Sequence, residues 1–182
     1  MISINGKNYE EICLLGHGKG GYSYLVTDGV WKFVLKQIHH EPCRYYQFGD
    51  KLQAELTDYK KLMHVGINMP RMLEADVEHE RILKQYIEGD NVFDMILHDK
   101  FDEKTHKEVL LQVQKMCGML YPANLNIDFF PTNFVFNRGT LYYVDYECND
   151  YSEEWNFANW GVKYWSKTPE FLQYVQSLSV RR

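Results

Sequence analysis

The spacing of apolar residues shifts from mainly strand-like to mainly helical near Glu88–Asn91. The first third of the chain reads as strand. "EEICLLG" is a short apolar run ending in glycine, and "YSYLVTDGVWKFVLKQI" holds two strand-like runs joined by Asp28-Gly29. Asp-Gly favours the positive-φ turn of a hairpin. "MPRMLEADVEHERILKQYI" predicts another hairpin. Between these two, Leu52, Leu56, Tyr59 and Leu62 or Met63 share one face of a helix expected over 49–64. After Gly89 the period becomes helical: Val109, Val113, Met116, Cys117 and Leu120 form a stripe that ends before Pro122. "NIDFFPTNFVFNRGTLYYVDYE" returns to strand, with Asn137-Arg138-Gly139 as the turn of a small hairpin. The tail segments "SEEWNFANWGVKYW" and "TPEFLQYVQSL" predict two more helices, with Ser152 or Thr168 as N-caps. A β-rich half over 1–88 thus precedes a helical half over 89–182, and the expected class is α+β.

Composition narrows the function classes. The 182 residues suffice for one full domain or two small lobes, and 45% hydrophobic residues can build a core. No segment has the length and purity of a membrane span, so no membrane association is expected. The start "MISINGKNYEE" lacks the apolar stretch of a signal peptide. Cys13, Cys43, Cys117 and Cys148 are scattered without a CxxC pair, which fits reduced thiols in the cytoplasm better than disulfides or zinc. A net charge of −5 argues against a nucleic-acid partner.

Three groups of residues carry candidate chemistry. Asp128, Asn133 and Asp145 sit among aromatic and β-branched residues, where carboxylates need a cation or hydrogen-bond donor. Gly16, Gly18 and Gly21 in "GHGKGGYSYLV" have the spacing GxGxxG. Glycines let backbone N–H groups approach phosphates, but they also serve ordinary turns. A P-loop is excluded because Tyr22 stands where its lysine would be. A dinucleotide fold needs a helix directly after the glycines, and a β pattern follows instead. A glycine-rich hairpin over phosphates fits that β context. The third group is Lys36, which alternation places between Val34 and Ile38 on one strand face, and Glu55, on or beside the inward face of the helix. An exposed lysine and a solvated glutamate are the plain alternative. A Lys36–Glu55 ion pair satisfies both residues at once and aims the ammonium at a phosphate.

In order, these motifs are a glycine-rich hairpin, a strand lysine, a helix glutamate, D-x-x-x-x-N and a second aspartate. The ordered set resembles the protein-kinase-like superfamily over roughly residues 12–165, including its RIO-type, aminoglycoside-kinase and choline-kinase members. The resemblance implies a two-lobed fold with an antiparallel-sheet N-lobe and a reduced helical C-lobe. It implies an ATP-dependent phosphotransferase, most similar to serine/threonine protein kinases, that uses ATP and Mg²⁺. Gly16, Gly18 and Gly21 match the loop over the ATP phosphates, Lys36 the lysine on the α- and β-phosphates, and Glu55 its helix partner. The main chain of Gln85, Tyr86 and Ile87 matches the adenine-binding hinge, after which Gly89 releases the chain. "DFFPTN" matches the catalytic loop, with Asp128 accepting the substrate hydroxyl's proton and Asn133 binding Mg²⁺. "VDYE" matches D-F-G, with Asp145 as the second metal ligand.

Four departures qualify the match. Asn126 replaces the usual histidine two residues before Asp128. Phe130 replaces a lysine that often touches the transferring phosphate. Asp145-Tyr146-Glu147 replaces D-F-G and is closer to the triplet of small-molecule kinases. Only 37 residues follow Asp145, leaving little room for a substrate platform; "WNFANWGVKYW" is the expected remnant of the central C-lobe helix, with Asn156 where aspartate is common. A protein acceptor, presented by a partner that completes the site, is therefore expected. The alternatives are a small-molecule kinase and a pseudokinase that binds nucleotide or acts as a scaffold. His39-His40 reads as an exposed pair, since adjacent strand residues point to opposite faces. Trp155, Trp160 and Trp165 are expected to plug the small core from two sides, and Arg181-Arg182 to fray.

Overall fold

Short turns that need positive φ organise the N-terminal strands. The computed structural model describes residues 1–42 and 49–180; Cys43 and Arg181-Arg182 lie outside them. The molecule is α+β, with antiparallel sheets and helices, consistent with a kinase-like fold. By its contacts the chain divides into two units, Met1–Thr57 with Pro70–Tyr86, and Asp58–Met69 with Ile87–Arg182.

The first unit is built on a six-stranded sheet. Its strands are β1 (Ile2–Ile4), β2 (Lys7–His17), β3 (Gly21–Thr27), β4 (Lys32–Ile38), β5 (Met72–Asp76) and β6 (Arg81–Gln85), in the spatial order β1-β2-β3-β4-β6-β5. The β1–β2 hairpin turns at Asn5-Gly6, both at positive φ. That Asn-Gly pair is a strong hairpin signal, and the apolar pattern passed over it because β1 is only three residues long. At the β3–β4 turn the Asp28 carboxylate accepts from the N–H groups of Val30 and Trp31, at 2.9 and 2.7 Å. Those two bonds hold its acidity above that of an ordinary aspartic acid. Ile4, Tyr9, Val26, Leu35 and Leu83 form the core of this unit.

Gly21 opens β3 opposite Ile38. A Cβ there would lie 2.4 Å from the Gln37 carbonyl oxygen, a backbone atom that no rotamer change can move. Gly21 is therefore required by strand packing. A Cβ on Gly16 or Gly18 would meet nothing within 4 Å.

Helix α1 (Lys51–Val65) follows, close to the expected 49–64. Asp50 accepts the Gln53 N–H at 2.8 Å and starts it. The helix contributes its first seven residues to the first unit and the remainder to the second. Leu52 and Leu62 are buried as the period requires, whereas Met63 is exposed.

The second unit contains α2 (Val92–Leu97), α3 (Glu103–Leu120) and α4 (Pro169–Val180), with two small antiparallel pairs. One pair is β7 (Leu125–Ile127) with β10 (Cys148–Asp150); the other is β8 (Phe134–Asn137) with β9 (Thr140–Tyr143). Asn91 and Asp102 cap α2 and α3 by accepting the N–H of the residue three positions on. The expected stripe on α3, Val109, Val113, Met116, Cys117 and Leu120, is buried throughout. The β8–β9 turn falls at Arg138-Gly139, both at positive φ. Gln112 on α3 holds this hairpin, donating to the Gly139 carbonyl at 2.9 Å and accepting the Leu141 N–H at 2.8 Å.

The tail differs from expectation. Only its second segment is an α-helix, capped by Thr168, whose hydroxyl accepts the Phe171 N–H at 3.1 Å. The segment "SEEWNFANWGVKYW" folds as turns ending in a 3-10 turn at Gly161–Tyr164. The Asn156 side chain accepts the Asn159 N–H at 2.8 Å and its carbonyl takes the N–H groups of both Trp160 and Gly161, while the Val162 N–H goes to the Phe157 carbonyl, so one α-type bond gives way to wider turns instead of a continuing helix. Gly161 then packs so closely that a Cβ would lie 2.7 Å from Phe129 Cβ. The tryptophans diverge accordingly: Trp165 is buried, Trp160 packs partly against the core, and Trp155 is 51% exposed rather than a core plug.

Gly21→Ala should lower stability by about 1–3 kcal/mol through overpacking, while Gly18→Ala should stay within about 0.5 kcal/mol of the parent. Urea unfolding midpoints of the two variants check this; equal midpoints would refute the close-approach account of Gly21.

Candidate functional site

In the first unit the candidate cation is set by β4 and α1. Lys36 Nζ lies 2.6 Å from Glu55 Oε2, and the two side chains are only 12% and 9% exposed. Strand alternation turns Lys36 towards α1, and the helical period turns Glu55 towards the sheet. Glu55 Oε1 is buried with no hydrogen-bond partner among the described residues. Gly20 sits above the lysine: a Cβ there would come within 3.6 Å of Lys36 Nζ.

A second buried lysine, which the sequence reading missed, fixes the glycine-rich stretch. Lys51 donates to the carbonyls of Lys19 at 3.2 Å and His39 at 2.6 Å. A cation in the first turn of a helix opposes the helix dipole. That local misfit was the available signal that Lys51 serves a distant acceptor. The Gly18 N–H donates to the Gly21 carbonyl at 3.0 Å and closes the turn.

Among the expected hinge residues, Gln85 ends β6, and its N–H donates to the Arg71 carbonyl at 2.9 Å. Tyr86 closes the first unit, and Ile87, which is buried, opens the last stretch of the second. Gly89 has φ 129°, a conformation that favours glycine.

The acidic group belongs to the second unit. Asp128 follows β7, and its Oδ1 accepts the Phe130 N–H at 3.0 Å. Asn133 ends a 3-10 turn opened by Pro131, and its amide donates to the Asp128 carbonyl at 3.3 Å. That donation points the NH₂ at the carbonyl and leaves the amide oxygen as the end suited to a cation. Asp145 Oδ1 accepts the Tyr146 N–H at 2.8 Å. The Val144 N–H donates to the Asn133 carbonyl at 2.9 Å, so the chain entering Asp145 is tied to the loop that carries Asn133. Carboxylate and amide oxygens are hard donors and fit Mg²⁺.

Tyr143 is the supporting residue missed by sequence reasoning. It is wholly buried, and its hydroxyl donates to the Glu147 carbonyl at 2.8 Å. The Asp128 backbone N–H is directed at the same phenol oxygen. Burial first, then the negative charges of Asp145, Asp128 and Glu147, push its acidity well below that of a free phenol. The phenol therefore stays protonated and ties the Asp128 loop to the Asp145–Glu147 segment. The inward alternation of "TLYY" marked Tyr143 as core but could not name these polar partners.

The departures from the kinase pattern have structural explanations. Asn126 donates to the Trp155 carbonyl at 2.9 Å and is buried, an architectural use. Phe130 packs among Phe93, Trp160, Tyr164 and Tyr174. Its position is part of the hydrophobic packing and presents no cation. Trp165 donates from its indole to the Phe129 carbonyl at 2.7 Å, bracing the loop from below. The Tyr146 ring packs against Tyr59 with centroids 4.6 Å apart and planes inclined by 51°, and Asp58 accepts the Cys148 N–H at 3.2 Å.

No family model matches the chain. It is similar to the KEOPS complex subunit Bud32 of Pyrococcus abyssi (strain GE5 / Orsay), with 22% identity over 138 residues, covering 72% of this chain and 62% of that protein. The match thus spans less than two thirds of the relative's length. This distant similarity fits the protein-kinase-like resemblance carried by the motifs. No helix among the described residues is long and apolar enough to cross a membrane.

Two predictions follow from these contacts. Glu55→Ala should cost about 3–5 kcal/mol, because it removes the carboxylate that meets a buried ammonium at 2.6 Å. Adding Lys36→Met should recover much of that loss, and a double-mutant cycle on urea unfolding measures the coupling. The second concerns alkaline pH. Burial, then the Asp58 charge, raises the Cys148 thiol from its ordinary 9.0 to about 12. Since the folded value lies above the unfolded one, the stabilisation is complete below about pH 9 and is lost as pH rises towards 12. The melting temperature should therefore fall in that window, and fall less steeply in Cys148→Ala.

Proposed function

We propose that this chain is an ATP-dependent phosphotransferase of protein-kinase-like type that acts on a hydroxyl acceptor. The observation that carries this reading is the buried Lys36–Glu55 pair at 2.6 Å. Ion pairs of this kind are weak evidence of stabilisation, since apolar residues of similar volume often serve as well. A buried lysine held by a glutamate has a clear use in orienting phosphate oxygens.

The proposal includes the two-lobed organisation, with 1–88 as the N-terminal lobe and 89–182 as the C-terminal lobe. Gly16, Gly18 and Gly21 would cover the phosphates, and Lys36 would contact the α- and β-phosphates. The main chain of Gln85, Tyr86 and Ile87 would hold adenine. Asn133 and Asp145 would hold Mg²⁺, which neutralises phosphate charge when bound. Asp128 would accept the proton of the acceptor hydroxyl as its oxygen bonds to the γ-phosphorus. The bond from that phosphorus to the β,γ-bridging oxygen breaks, and ADP leaves. The Phe130 and Asp128 contacts support this role by fixing the carboxylate before the reaction.

A protein serine or threonine is the acceptor we favour, with a partner protein completing the site. The relative's name, a subunit of a multi-protein complex, supports such a partner. The aromatic packing of Phe130 favours a second reading, a nucleotide-binding pseudokinase, because no cation is presented there to the transferring phosphate. The Asp145-Tyr146-Glu147 triplet keeps small-molecule acceptors in the test.

ATP with Mg²⁺ should raise the melting temperature by mass action, worth about 2.7 kcal/mol at a hundredfold excess over Kd. Asp145→Ala should abolish the Mg²⁺-dependent part of the shift. Asp128→Ala should bind nucleotide normally but lose phosphate transfer to the chain itself, to generic proteins and to aminoglycosides. Absence of any shift at millimolar nucleotide would refute nucleotide binding. Binding without transfer to any acceptor would favour the pseudokinase.

A further inference from the structure

We propose that His17, His39 and Glu41 form a binding site for a divalent transition-metal ion of the zinc type, at the outer end of the glycine-rich stretch. His17 is the last residue of β2; His39 and Glu41 follow β4. The three side chains bring one ligand atom each to within 4.8 Å of one another. His17 Nε2 lies 3.3 Å from His39 Nε2 and 3.5 Å from Glu41 Oε2. Zinc–nitrogen bonds of about 2.0–2.1 Å at tetrahedral angles set neighbouring ligand atoms roughly 3.3 Å apart. The spacing around His17 is already close to that value.

The ligands are held from behind. The His17 ring stacks on Tyr22 with centroids 4.2 Å apart and planes 4° from parallel. The Tyr22 hydroxyl donates to Glu41 Oε1 at 2.5 Å, which turns Oε2 towards His17. Two imidazole nitrogens and one carboxylate oxygen suit zinc and its neighbours better than Mg²⁺ or Ca²⁺, which take oxygen ligands. A water would complete four-coordination.

Proton balance sets the cost of loading. His39 Nε2 also lies 2.9 Å from the Gly18 carbonyl, and its Nδ1 accepts the Glu41 N–H at 3.2 Å. These partners assign the proton to Nε2 in the metal-free protein. Metal binding requires His39 Nε2 to give up that proton, and its transfer to Nδ1 displaces the Glu41 N–H. Binding exchanges the His39–Gly18 hydrogen bond for a metal–nitrogen bond and gives up the Glu41 contact. Occupancy of the site would therefore change how Gly18 is tethered. His40 takes no part, because its Nε2 pairs with Glu80 Oε2 at 2.6 Å. This site is independent of the phosphotransferase reading, and its test needs no activity.

The experiment titrates ZnCl₂ into the untagged chain by calorimetry and by competition with a chromophoric chelator. Co²⁺ is then used to read the coordination geometry. The expected result is one ion per chain and an intense tetrahedral Co²⁺ spectrum. His17→Ala and His39→Ala should each weaken binding by at least about tenfold, and His40→Ala should leave it unchanged. Imidazole nitrogen resonances of the unaltered protein give a readout that does not depend on variants folding; those of His17 and His39 should move on zinc addition. Failure to bind zinc stoichiometrically at micromolar concentration, unmoved resonances, or affinity that survives loss of both histidines would overturn the proposal. The three residues would then be a plain hydrogen-bonded cluster.

Discussion

A lysine ammonium can leave water within a protein when a carboxylate meets it, and the contact of Lys36 with Glu55 at 2.6 Å satisfies that condition in the first unit. β4 must present Lys36 towards α1, and the period of α1 must turn Glu55 to face it. The glycine-rich turn is then fixed around the same elements. Gly21 closes against the β4 backbone, and Lys51 holds the carbonyls of Lys19 and His39. The apolar core of this unit supplies most of the burial. The charged pair joins strand and helix at one defined point.

The same constraint operates in the second unit with a neutral group. Three carboxylates, those of Asp128, Asp145 and Glu147, bear on the Tyr143 phenol, and burial keeps that phenol protonated. One hydroxyl thereby ties two chain segments without adding a charge. Val144 repeats the connection through the backbone, and Trp165 and Gln112 brace the loop and the hairpin from other elements. The result is rigid support for short polar side chains, which positioning-dominated chemistry such as phosphoryl transfer requires.

Much of this organisation was legible in the residue pattern. The Asp28-Gly29 and Arg138-Gly139 turns, the α1 face and the α3 stripe follow from local rules, and so does the Thr168 cap. The failures are equally physical. The "WNFANW" segment has helical composition, but Asn156 bonds locally and Gly161 is pressed against Phe129, so turns replace the helix. Trp155 carries the same side chain as Trp165 and stays half exposed, because aromatic character alone does not say which ring the core can accommodate. The histidine pair was read in sequence neighbours, whereas His39 meets His17 across the β2 and β4 ends.

What the sequence determined by itself is local: the order of the elements, the turns that need positive φ, and the residue types able to bind a phosphate or a hard cation. Each follows from backbone sterics, side-chain period or donor chemistry within a few residues. Tertiary structure alone decided which buried polar atoms find one another. Lys51 reaches carbonyls 12 and 32 residues away, and Tyr143 donates to the Glu147 carbonyl while the Asp128 backbone faces it. Pairings of this kind depend on how strands and helices are brought side by side, and no local pattern encodes that distance.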